Sequence, residues 1–204
     1  MNTETTQTTR TGLAHLAAIV AGVALHASTD QNRATLCAIY ITPETIQATN
    51  SYTLAIYRPA EPITTGQPAL INARELTTAL NNLNKAAGKT IADATLTITG
   101  NGHTWQLTAT SGEATIGSYN GQTTPGEYPN TTHLFTNLET GKPYEPTGLN
   151  PDYLETITKT SRKTSKNAPL ILATWQTPAR PMIFTTTNDA GTLTQLLMPQ
   201  RIND

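Results

Sequence analysis

Four cations crowd one short stretch of this chain. Lys159, Arg162, Lys163 and Lys166 fall within eight positions, although the whole sequence of 204 residues carries only 13 Lys and Arg. Two chemistries suit such a cluster at the end of a helix. Cations there complement the negative end of the helix dipole and stay solvated. They also suit contact with a phosphate backbone, which asks for positive charge and no base-reading geometry. A second cluster closes the chain, Leu196-Leu197-Met198-Pro199-Gln200-Arg201-Ile202. Apolar residues with an adaptable Met and a Pro either close a sheet there or line an apolar pocket for a partner peptide.

The chemistry of catalysis is missing from the sequence. Gly88-Lys89-Thr90 ends like a phosphate-binding loop, but its first glycine would have to stand at position 83, which is Leu83. The stretch reads better as a helix C-terminus closed by Gly88. There is no Gly-x-Ser-x-Gly and no His-Glu-x-x-His, and the carboxylates are dispersed. His15, His26, His103 and His133 are scattered, and Cys37 is alone. These features predict a non-enzyme with no metal, no cofactor and no intramolecular disulfide.

The elements that must position the two clusters are built largely from threonine. There are 42 Thr, about one residue in five, while hydrophobic residues make up 37% and charged residues 13%. Threonine is β-branched and suits strands, and a net charge of -1 is far from the charge of a disordered chain. Leu13 to Ala27 is apolar enough to mimic a secretion signal, but its polar leader carries one acid for its one base and His15 interrupts the run. It is too short to span a bilayer. A buried helix over 12–27 in a cytoplasmic protein without membrane contact is the expectation.

Downstream, Ala34 to Ile41, Thr45 to Ala48 and Tyr52 to Tyr57 read as strands. The pattern then restarts. Pro68 to Ile71 reads as a strand, Asn72 and Glu75 form a capping box, and Leu76, Leu80 and Leu83 give the next helix one apolar stripe. Ala94 to Thr99, Thr104 to Thr110 and Ala114 to Tyr119 make a meander, its first turn at Gly100-Asn101-Gly102. Gly121 to Gly148 holds four Pro and four Gly and reads as a linker with one short β-like piece, His133 to Phe135. Asn150 then caps a third helix with Pro151 at its first position, followed by strands Leu170 to Trp175, Met182 to Thr187 and Leu193 to Met198. The result is an α+β chain of three βαβββ-like units whose helices must pack on neighbouring units' sheets.

Five short blocks resemble the bacterial DNA polymerase sliding clamps (β subunits), in the family's order. Ala48-Thr49-Asn50-Ser51-Tyr52-Thr53-Leu54-Ala55 is similar to the Ala-Thr-Asp-Gly-His-Arg-Leu-Ala signature of the middle domain. Leu25 to Ile41 resembles the segment before it, and Gly126-Glu127-Tyr128-Pro129-Asn130 the Gly-x-[Phe/Tyr]-Pro-Asp that closes the domain. Gly148 to Leu154 is similar to the start of the family's last helix, and Leu197 to Ile202 to its terminal Ile-Met-Pro-Met-Arg-Leu.

The resemblance implies a clamp fold, with residues 1–130 matching the family's middle domain and 131–204 the second half of its last. It implies a homo-oligomeric ring, helices inward, that binds duplex DNA without sequence preference and serves as a processivity factor in DNA replication. Phosphate contacts would come from Arg74, Lys85 and Lys89 on the second helix and from Lys159, Arg162, Lys163 and Lys166 on the third. The resemblance also implies a pocket for polymerase and clamp-loader peptides of the Gln-Leu-x-Leu-Phe kind. Its walls would be Thr49, Ser51, Tyr52, Thr53 and Leu54 on one side, and Leu196, Met198, Pro199, Gln200 and Arg201 on the other. The family's first domain has no counterpart here, which fits a shortened form of the kind a phage or mobile element encodes. Three half-units per chain need four chains to fill a twelve-unit ring, and a fourth in the linker would need three. The first helix carries no Lys or Arg. That motivates a second reading, a clamp-derived module that forms no ring and captures or competes for clamp-binding peptides.

Overall fold

The computed structural model describes residues 11–62, 64–65, 67–98, 102–135, 148–174 and 180–200. Each unit is a helix followed by an antiparallel meander. In the first, β1 (Thr11–Gly12) leads into α1 (Leu13–Val23), then β2 (Ala38–Ile41), β3 (Ile46–Thr49) and β4 (Thr53–Pro59). A two-residue strand, β5 (Thr64–Thr65), precedes the second unit: β6 (Ala69–Asn72), α2 (Ala73–Ala87), β7 (Asp93–Ile98), β8 (Thr104–Ser111) and β9 (Ala114–Gln122). The third holds α3 (Pro151–Thr164), β10 (Ile171–Thr174), β11 (Met182–Asn188) and β12 (Gly191–Leu197). Its leading strand is reduced to one bridge, Gly148 to Gln200.

Local chemistry sets the helix ends. The Asn72 side chain accepts from the N–H groups of Arg74 and Glu75, and the Asn150 side chain from that of Asp152, satisfying donors the first turn leaves free. Gly88 closes α2 at φ 61°, so Lys89, expected on that helix, lies just past it. Lys166 likewise falls beyond α3. Residues 34–37, expected as the start of a strand, instead belong to the 3₁₀ turns Gln31–Cys37, opened by Asp30, whose side chain accepts from the Asn32 N–H. The strand begins only at Ala38.

Two sheets result. One runs β1-β7-β8-β9, with β5 sharing the outer edge of β7 beside β1. The other has seven strands in the order β10-β11-β12-β4-β3-β2-β6, so strands from all three units share it. The join is β12 against β4, antiparallel over the whole of both strands, from Gly191↔Pro59 to Leu197↔Thr53. The main core draws on both of the first two units. Leu16, Ile19 and Val20 of α1 and Leu76, Leu80 and Leu83 of α2 bury against Ile39, Tyr57, Leu96, Trp105 and Leu107. Neither unit encloses that volume alone, as the short apolar runs required.

Helix α1 packs against both α2 and α3 and so lies between them. That position explains its nearly continuous apolar surface. At the α1–α3 crossing the helices touch at Gly22, where a Cβ would stand 2.9 Å from Thr164 Cγ2 and 3.3 Å from the Thr160 carbonyl. Gly22→Val is therefore expected to cost about 1–3 kcal/mol by overpacking this seam. Chemical denaturation checks it, and a loss below about 0.5 kcal/mol would mean the two helices part freely.

Candidate functional site

The two walls read from opposite ends of the sequence are neighbours in space. Register places Leu54 opposite Leu196 and Thr53 opposite Leu197, and the Met198 N–H donates to the Tyr52 carbonyl at 3.0 Å. The first wall is a pre-formed turn. Asn50 Oδ1 accepts from the Tyr52 N–H (2.9 Å), the Thr53 N–H (2.8 Å) and the Thr53 hydroxyl (3.2 Å). Thr49 Oγ1 donates to the Thr53 carbonyl at 2.7 Å. Ser51 sits in the left-handed region at φ 78°, costly for a residue with a Cβ. Its N–H bonded to Thr49 and its hydroxyl accepting from Arg33 at 2.5 Å hold it there. On the second wall Pro199 is half-buried and Gln200 exposed, the latter's N–H bonded to the Gly148 carbonyl at 2.9 Å. Arg201 lies outside the described residues.

Strand alternation gives the seven-stranded sheet two different faces. Leu193, Gln195 and Leu197 of β12 meet α1 or α3, whereas Leu196 points to the opposite side with Leu54 and Ile56. These three form a separate apolar cluster, with Leu196, Leu54 and Ile56 exposed by only 2%, 1% and 3% respectively. What covers them was not foreseen. Met198 does so from the predicted wall, and Leu134 and Phe135 do so from the linker. The piece expected to be β-like is a 3₁₀ turn, Thr132–Phe135. An apolar pair inside a Pro- and Gly-rich stretch was the available signal. The third helix adds one more element beside the first wall: Tyr153 on α3 stacks on Tyr52 at 5.5 Å between ring centroids and 16° between planes.

The candidate phosphate contacts sit on the flanking helices. Arg74, Thr78, Asn81 and Lys85 are exposed at spacings of four, three and four, a single stripe along α2. On α3, Arg162 and Lys163 are exposed in the last turn, and Lys159 is ion-paired to Glu155 at 2.8 Å. Lys89 and Lys166 are exposed just beyond their helices. Nothing charged comes from α1, so the exposed cations of α2 and α3, which share those helices with exposed Glu75, Asp152 and Glu155, flank a neutral helix.

A polar seam joins α3 to the first unit. His26 is fully buried, its Nε2 lying 3.1 Å from both Thr160 Oγ1 and Gln195 Oε1. Gln195 Nε2 donates to Ser161 Oγ at 2.8 Å, and Thr160 Oγ1 donates to the Gly22 carbonyl at 3.1 Å. Burial pushes the His26 pKa down to about 4, against a smaller opposing effect of the Gln195 hydrogen bond. Among the described residues no group of three or more His, Cys, Asp or Glu is placed to hold a metal ion. No helix there is long and apolar enough to cross a membrane.

No family model matches the chain, and no curated protein matches it in sequence. Solved structures do match. The beta sliding clamp of C. crescentus superposes with a TM-score of 0.65 over 99% of this chain and 67% of its own, at 14% identity. The DNA polymerase III beta subunit of Thermotoga maritima gives 0.64 over 100% and 68%, at 13% identity. This is the sliding-clamp fold. Proliferating Cellular Nuclear Antigen from Entamoeba histolytica matches as well, with a TM-score of 0.56 over 95% of this chain and 98% of its own, at 9% identity. The chain thus spans about two thirds of the length of the bacterial clamps it matches. At such identities the clamp fold is retained by strand order and helix placement, with few side chains in common.

Proposed function

We propose that this chain is a subunit of a DNA sliding clamp. Copies assemble into a ring around duplex DNA with α1, α2 and α3 inward, and a partner peptide from a polymerase or clamp loader docks on the outer face at Leu54, Leu196 and Met198. Residues 1–130 serve as one clamp domain and 131–204 as part of a second. The observation that carries the reading is that the exposed cations Arg74, Lys85, Arg162 and Lys163 lie on the two helices that flank α1, in a clamp fold. Contact would be with phosphates, hence indifferent to sequence and steeply dependent on salt. The direct experiment compares retention on closed circular duplex with retention on the same DNA after linearisation, using whatever loader or assembly condition gives binding. An encircling ring stays on the circle and runs off the free ends. Equal retention on both forms would contradict encirclement.

The peptide groove has its own test. Met198 is half-buried at the rim, so a charge there faces any apolar side chain entering the groove. Met198→Asp is expected to weaken a Gln-Leu-Ser-Leu-Phe peptide at least tenfold, about 1.4 kcal/mol, with little change in melting temperature. Unchanged affinity, measured by calorimetric titration, would place the peptide elsewhere.

A further inference from the structure

The first two units complete each other by exchanging their leading strands. β6, which leads the second unit, pairs with β2 of the first, from Ala38↔Asn72 to Ile41↔Ala69. β1, which leads the first, pairs in turn with β7 of the second at Thr11↔Ala94 and Gly12↔Asp93. The other side of β6 is held within its own unit, where the Thr124 N–H donates to the Leu70 carbonyl at 2.7 Å. The third unit repeats only that internal bond. Gly148 stands two residues before the helix cap Asn150, as Leu70 stands two before Asn72, and its carbonyl accepts from the Gln200 N–H at 2.9 Å. Among the described residues no strand lies on the other side of Gly148, and none lies beyond β10, which ends the seven-stranded sheet.

The side chains agree. Ile171 and Leu172 of β10 are 55% and 44% exposed, whereas Ile39 and Ile41 of β2, beside β6, are buried. Leu154 is the fourth residue of α3, as Leu16 is of α1 and Leu76 of α2. Leu16 and Leu76 are buried in the core that the paired units share, and Leu154 is only half-buried. With Leu149, Tyr153 and Leu170 it forms a partly exposed rim on the cluster around Ile157, Met182 and Phe184. A repeat unit of this kind cannot bury its apolar side alone, and an apolar edge strand is a template for another chain. The corresponding edges of the first two units are already occupied, so the complement that remains is the third unit of a second copy.

We propose that two copies of the chain dock through their third units about a two-fold axis, each laying Gly148 and Leu149 along β10 of the other. Leu149 then takes the place that Ile71 holds opposite Ile39, the second residue of β2, and faces Leu172, the second residue of β10, in the other copy. The contact is isologous, the same patch on both chains, and so closes at two. It rests on the ring reading, which it deepens by naming one face through which copies meet.

Cysteines at the two facing positions test the pairing. In the double variant Leu149→Cys, Leu172→Cys, mild oxidation is expected to give a covalent dimer closed by two reciprocal disulfides, with little product from either single variant. A ladder of longer covalent species would mean head-to-tail contact. That ladder, a link within one chain, no link, or equal product from a single variant each overturns the proposal. Ile171→Lys changes an exposed side chain and should lower the mass in solution to half or less of the unaltered chain's, read by light scattering. An assembly of unchanged mass overturns this contact and leaves the ring reading standing. If the unaltered chain is itself a monomer at every concentration, the ring reading fails and the contact falls with it.

Discussion

Replacing Arg74, Lys85, Arg162 and Lys163 together by glutamine is expected to weaken binding to duplex DNA by roughly three and a half orders of magnitude at about 0.1 M salt. The figure follows from counterion release. Each phosphate contact contributes about 0.9 to the slope of log affinity against log salt, and so about eightfold between about 1 M and 0.1 M. All four side chains are exposed and lie on the two helices that flank α1. Loss of all four contacts should flatten the slope by about 3.6 per chain. Lys159→Gln supplies a contrast, because its ammonium already faces Glu155 at 2.8 Å. Its removal should change affinity far less than removal of Arg162. Fluorescence anisotropy on a short duplex over a series of salt concentrations reads both quantities. A quadruple variant with an unaltered slope would place DNA away from these helices.

Acidification is expected to loosen the third unit through His26. Its pKa is about 4 in the folded chain and near 6.5 when unfolded, so the unfolded state takes up the proton first. Stability from this group is complete above pH 6.5 and is lost as pH falls from 6.5 towards 4, by about 3 kcal/mol in all. About 2 kcal/mol of that should go between about pH 7.5 and pH 5.0. His15, part-buried and also held below its usual range by burial, acts with the same sign. Carboxylate protonation is separated by taking the difference from a His26→Gln variant, which lacks the titrating ring. Denaturant melts of the two proteins at both pH values should differ in their pH dependence by that amount. Parallel behaviour would mean that His26 is already protonated, or solvated, in the fold.

Much of the architecture was legible because it is written in local signals. Asn72, Gly88, Asn150 and Pro151 mark helix ends through backbone chemistry that involves no distant residue. The alternation of Leu96, Ile98, Trp105 and Leu107 with Thr fixes which face of the meander is buried. The errors fell where tertiary partners decide. Ala34 to Cys37 has strand-like composition, yet the Asp30 cap and a Ser28 N–H to Leu36 carbonyl bond fold it into 3₁₀ turns. The buried side of α3 is largely Thr160, Ser161 and Thr164, so no apolar stripe announced the seam with α1 and His26. The two segments expected to form pocket walls meet across β4 and β12, but what covers Leu54 and Leu196 could not be named from the sequence. Leu134 and Phe135 stand in a linker read as turns around one short β-like piece, and their contacts with Leu54 and Leu196 are distant in sequence in both directions.

In the proposed reading this 21.9 kDa chain closes into a ring with copies of itself. Mass in solution tests it most directly, by size exclusion with light scattering at near-physiological salt over a wide range of concentration. Three units per chain lead us to expect a discrete four-chain species that persists on dilution. A monomer at every concentration would contradict the ring.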